Sequence, residues 1–132
     1  MIGLDTNVLV RYIMQDDAKQ ARQAAALIES LTPERPGFIS VVALVELVWV
    51  LESVYTLTRA QIAQALQTLL SIEVWTIERA IAVSSALRGY ANGKVDFADR
   101  VIERVGASAG CECTMTFDRD AAKAGGMVLI HP

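Results

Sequence analysis

Four carboxylates carry the chemistry this sequence suggests: Asp5, Glu46, Asp99 and Asp118. Asp5 ends the short apolar run from Met1 to Leu4 and is followed by Thr6 and Asn7; Asp118 ends an expected strand, after Thr116 and Phe117. A carboxylate at the carboxyl end of a parallel strand lies where open α/β sheets keep their ligand crevice. Glu46 is the one charge in VVALVELVWVL, whose other ten residues are apolar. A carboxylate in such a frame is costly unless it is paired, protonated or bound to a cation. Asp96 and Asp99, three apart, share a face at the start of a helix. Close carboxylates do not all stay ionised without a compensating cation. An all-oxygen donor set suits Mg²⁺ or Mn²⁺ rather than zinc. Such an ion would neutralise a phosphodiester and lower the pKa of an attacking water.

Each acid also has a plain structural reading. Asp5 or Thr6 caps the helix that follows, and Asp96 stands where an N-cap is expected. Asp99 is a first-turn acid favoured by the helix dipole. Glu46 is a buried acid bonded to a neighbour or turned out from a helix edge. Glu103 is expected to be solvated and paired with Arg100 or Arg104.

The elements that must position these residues alternate between strand and helix. Short segments at Met1–Leu4, Phe38–Ile39, Ile72–Trp75, Cys111–Phe117 and Met127–Ile130 read as strands. Between them the periodicity predicts helices at Val8–Met14, Ala18–Leu31, Val41 onward, Arg59–Leu70, Ile77–Tyr90 and from Asp96 to Gly110. Asp17 with Gln20, and Thr58 with Gln61, have capping-box spacing. Ser40, Thr76 and Asp120 are expected to cap the helices they precede. This alternation predicts a three-layer α/β/α domain with a mostly parallel sheet, formed by residues 1–132 as one domain. The helix after Ser40 is expected to be buried on every side.

Composition narrows the function classes. With 53% apolar and 20% charged residues the chain is no disordered segment. No run is long and apolar enough to span a bilayer, and Asp5 would interrupt any signal core. Cys111 and Cys113, one residue apart, suit neither a disulfide framework nor a zinc site. They are expected as small buried strand residues in a reducing cytoplasm. His131 is read as a tail residue rather than a ligand. A net charge of −3 supplies no global attraction to nucleic acid, so a polyanionic substrate would need another means of attachment.

Taken together, Asp5-Thr6-Asn7, Glu46 within VVALVELVWVLESVY, Asp99 within DFADRVIE and Thr116-Phe117-Asp118 resemble the PIN-domain ribonucleases. The nearest branch is the VapC-type toxins of toxin–antitoxin pairs, and the resemblance covers essentially the whole chain. It implies a Mg²⁺- or Mn²⁺-dependent endoribonuclease that cuts RNA and is held in check by a small cognate antitoxin protein of VapB type. Asp5, Glu46 and Asp99 would be metal ligands or their close supports, and Asp118 would complete the cluster. Asn7 and Thr116 would orient ligands or water, with Asp96 a further acid. A homodimer is also implied. Arg100, where the family has a small residue, and Phe117, where it has a polar or basic one, depart from the pattern and put RNA contacts and partner choice in doubt.

Other classes fit less well. A receiver-like phosphoacceptor domain needs paired acids after the first strand and a Lys on a late strand. A haloacid-type phosphatase needs a second Asp where Asn7 stands. A catalytically silent PIN-like module that binds RNA or protein, with its acids serving as caps, is the third alternative.

Overall fold

Three short strands and four helices build the first of two units, Met1–Glu78, in a computed structural model that describes residues 1–131. Strand β1 (Ile2–Gly3) passes into α1 (Thr6–Met14) and α2 (Ala18–Glu29). Strand β2 (Gly37–Ile39) passes into α3 (Val41–Ser53) and α4 (Arg59–Leu70), which lead to β3 (Trp75–Ile77). The strands pair in the order β1-β2-β3, parallel throughout, with Gly3 opposite Phe38 and Phe38 opposite Thr76. Parallel neighbours need crossover connections, and the helix pairs supply them. Gly37 suits the central strand because a Cβ there would lie 3.0 Å from Leu31 Cδ1 and 3.2 Å from Trp75 Cβ.

The core of this unit is aliphatic: Leu9, Ile39, Leu44, Leu47, Leu51, Ile62 and Leu66 are fully buried. Helix α3 buries Ala43, Leu44, Leu47, Val48 and Leu51, one stripe at helical spacing. Its opposite side is exposed at Val42, Glu46 and Trp49. The expectation of a helix buried all round is therefore corrected, and with it the apolar enclosure of Glu46. One packed face satisfies this helix, whatever the composition of the other.

Capping sets most boundaries. Ser40 Oγ accepts from the Ala43 N–H at 3.1 Å, and Asp17 Oδ1 from the Gln20 N–H at 3.0 Å. Thr58 and Gln61 form a full reciprocal box, with the Gln61 N–H donating to Thr58 Oγ1 at 3.1 Å and the Thr58 N–H to Gln61 Oε1 at 2.9 Å. Thr58→Ala removes half of that box, and urea unfolding is expected to show a loss of about 1 kcal/mol. Strand β3 starts later than the sequence reading placed it. Trp75 is buried, with its indole N–H donating to the Leu69 carbonyl at 2.9 Å, so Thr76 lies inside the strand and caps no helix.

The second unit begins at Arg79. It holds α5 (Ala80–Asn92), α6 (Phe97–Ser108), β4 (Met115–Thr116), α7 (Arg119–Ala124) and β5 (Val128–Leu129). Strands β4 and β5 pair in parallel, Met115 opposite Val128 and Thr116 opposite Leu129, with α7 as their connection. Helices α5 and α6 pack through Tyr90 and Phe97, whose rings meet edge to face at 5.6 Å. Strand β4 is shorter than expected. Cys111 and Cys113 fall outside it and are exposed, correcting their reading as buried strand residues. The architecture is α/β with parallel strands, as the alternation predicted, and no helix among the described residues is long and apolar enough to cross a membrane.

Candidate metal centre

In the first unit, residues that leave the three parallel strands emerge at one sheet edge. Asp5 follows β1 and holds the N-cap of α1, its Oδ1 accepting from the Thr6 N–H at 2.9 Å. Thr6 is therefore not the cap. It is buried, and its hydroxyl donates to the Ala43 carbonyl at 3.4 Å, tying the start of α1 to the first turn of α3. The Asp5 carboxylate is exposed, so a cap role leaves a face of it open to a ligand. Asn7, two residues on, lines an open cleft of about 250 Å³ with Val8, Arg11, Gln20 and Leu27. Glu46 stands on the exposed side of α3.

Glu78, which follows β3, is the acid at this edge that sequence reasoning missed. Its Oε1 accepts from the Val41 N–H at 2.8 Å and so serves the N-terminus of α3 beside Ser40. The signal was the same as for Asp5, an acid directly after an apolar run. Placing the strand too early in sequence put Glu78 inside a helix and hid it.

In the second unit three acids share one electrostatic neighbourhood. Asp96 holds the N-cap position of α6, yet its side chain makes no capping hydrogen bond. Asp99 lies in the first turn and is half-buried. Loss of water first, then the charges of Asp96 and Asp118, push its carboxyl above the usual range. Asp118 follows β4 and is exposed. Its Oδ1 accepts from the Asp120 N–H at 2.8 Å and the Ala121 N–H at 3.1 Å, so Asp118, rather than Asp120, caps α7. Thr116 Oγ1 in turn accepts from the Asp118 N–H at 3.0 Å and shapes the backbone that presents this acid.

Glu103 pairs with Arg104, with Nη2 at 2.7 Å from Oε1, and that hydrogen bond holds Glu103 below the usual carboxylate range. Arg100 does not reach out toward solvent as a basic contact. Its Nη2 donates to the Ala124 carbonyl at 3.0 Å, and its Nε is buried without a partner. Gly89 makes the room, because a Cβ there would stand 2.7 Å from that Nε. Phe117 is 80% exposed.

Oxygen donors dominate both sets, and the crowding of negative charge on Asp99 is the kind of strain that a hard divalent cation relieves. Among the described residues, no three His, Cys, Asp or Glu side chains gather into a metal-holding group. Asp5 and Glu46 belong to one unit, and Asp96, Asp99 and Asp118 to the other. Residues 2–127 match the sequence pattern of the PIN domain family. No curated protein matches the chain.

Proposed function

The chain belongs to the PIN domain family, whose members are in general metal-dependent nucleases, and on that premise we propose that it is an endoribonuclease acting as the toxin of a toxin–antitoxin pair. Asp5, Glu46, Asp99 and Asp118 are the proposed ligands of Mg²⁺ or Mn²⁺, with Asp96 a further acid close to Asp99. The observation that carries this reading is Asp99, half-buried and raised in pKa beside Asp96 and Asp118. A first-turn acid kept only for the helix dipole gains nothing from two more carboxylates around it. A metal ligand does, because the surrounding charge draws the cation in.

In this reading Asp99 and Asp118 offer carboxylate oxygens and Asp96 adds charge. Thr116, through the Asp118 N–H, and the α7 N-terminus fix how Asp118 is presented. Thr6 fixes Asp5 by joining the α1 N-terminus to α3. When bound, the cation supplies neutralisation of the scissile phosphate and a water of lowered pKa. The proposed partners are an RNA substrate, a second copy of the chain as homodimer, and a small antitoxin that covers the acids, all in the cytoplasm.

Purified protein incubated with RNA is expected to cleave it in Mg²⁺ or Mn²⁺ and to stop in excess chelator. Cleavage that continues in chelator would remove the metal from the mechanism. RNA that is bound but left intact in either metal would favour the silent binding module. Growth arrest on expression, relieved by co-expression of a small antitoxin protein, tests the toxin role separately.

A further inference from the structure

Two exposed aromatic side chains stand out among the described residues. Trp75, Tyr90 and Phe97 are buried, and Tyr12, Phe38 and Tyr55 are half-buried. Trp49 and Phe117 are 62% and 80% exposed. Large exposed apolar groups are informative where their positions are not random. Trp49 lies three residues after Glu46 on the exposed side of α3, so the two share a helix face. Phe117 directly precedes Asp118, at the end of β4. In each unit, then, the exposed aromatic neighbours a proposed metal ligand.

We propose that Trp49 and Phe117 are stacking platforms for unpaired bases of single-stranded RNA, each beside a proposed metal ligand of its own unit. The inference rests on the nuclease reading above and names two side chains of this chain that would hold the strand. It also answers a difficulty in the composition. With a net charge of −3 the protein has no overall electrostatic pull on a polyanion. Stacking on aromatic faces needs no positive charge and tolerates any base, because every base has a π-face. A duplex keeps its bases stacked on each other and has none to offer. The indole of Trp49 and the ring of Phe117 therefore select single strands, loops or bulges.

Trp75 is the other tryptophan, and its burial makes Trp49 the indole that responds to a ligand from solvent. Emission is measured with a short single-stranded RNA of mixed sequence, and with the same strand annealed to its complement. Ca²⁺ replaces Mg²⁺ so that binding is read apart from cleavage. Cleavage in Mg²⁺ is followed in parallel. Saturable quenching by the single strand and not by the duplex is expected. Trp49→Ala and Phe117→Ala should each weaken binding roughly tenfold, read by anisotropy of labelled RNA, while Trp49→Phe should retain most of it. Cleavage at subsaturating RNA should fall in proportion, through KM rather than kcat.

Unchanged affinity in both Ala variants, with wild-type cleavage intact, overturns the stacking role and leaves the nuclease reading standing. Selective quenching without cleavage in any divalent metal supports the platforms and overturns the nuclease. If Trp49→Ala changes the sedimentation of the protein and not its RNA affinity, this face covers a second copy and the proposal fails for Trp49. Both side chains are exposed, so circular dichroism of the variants should match wild type.

Discussion

Asp99→Asn is expected to abolish metal-dependent cleavage while making the metal-free protein more stable at neutral pH. The first half follows from the role proposed for this carboxylate. Removing a metal's outer-shell partner costs about 10–100-fold in affinity or activity, and loss of a direct ligand should exceed that. The second half follows from linkage. Burial and the charges of Asp96 and Asp118 raise the folded-state pKa of Asp99 above its unfolded value. Between those two values the folded protein binds more protons than the unfolded chain, so stability falls as pH rises through that window. Above it the ionised group is a net cost to the fold. Asn at the same position has no charge to desolvate or repel, and the cost disappears. Urea unfolding of both proteins in chelator, at pH 7 and near pH 4, should show the gap at pH 7 narrowing at the lower pH. An ordinary first-turn acid gives the opposite sign, because Asn would lose a favourable dipole interaction. A destabilised Asp99→Asn that still cleaves RNA would return Asp99 to a purely structural role.

How much of this was legible in the sequence depends on whether a residue's role was local. The boundaries set by Ser40, Asp17 and the Thr58–Gln61 box were legible because a capping side chain reports its own backbone, a few residues away. The alternation of short apolar runs and amphipathic segments was enough for parallel α/β architecture. Exposure was hard to read where nearly every position is apolar. In VVALVELVWVL Glu46 alone marks the outward face, and packing against the rest of the unit leaves Val42 and Trp49 outside with it. The same holds for Cys111 and Cys113, whose small apolar character says nothing once the strand starts beyond them. Asp5 shows a different limit. From sequence, cap and ligand are competing roles for Asp5, yet a carboxylate has two oxygens, and the one that meets the Thr6 N–H leaves the other to act elsewhere. Asp118 repeats the pattern, with both capping hydrogen bonds on Oδ1.

The largest stability effect should come from Phe97→Ala. Phe97 is the first residue of α6, between Asp96 and Asp99, and is 1% exposed. Its ring meets Tyr90 of α5 at an interplanar angle of 83° with centroids 5.6 Å apart, the edge-to-face arrangement that aromatic quadrupoles favour. Truncation to Ala loses the transfer free energy of the ring and leaves a cavity that the two helices close only in part. The expected cost is about 3–5 kcal/mol, a large fraction of a total that is about 5–15 kcal/mol for a domain. Phe97→Leu keeps most of the apolar volume and forfeits mainly the aromatic pair, so about 1–2 kcal/mol is expected. The two variants separate packing from catalysis. If Phe97 acts only by anchoring the first turn of α6, Phe97→Leu should retain Mn²⁺ affinity near wild type. Phe97→Ala should lose it together with stability, because the turn that presents Asp96 and Asp99 loosens. Titration of Mn²⁺ by electron paramagnetic resonance, beside urea unfolding of the same samples, reads both quantities. A Phe97→Ala protein within about 1 kcal/mol of wild type would mean that the Tyr90–Phe97 contact does not hold this turn, since surface substitutions already span ±0.5 kcal/mol.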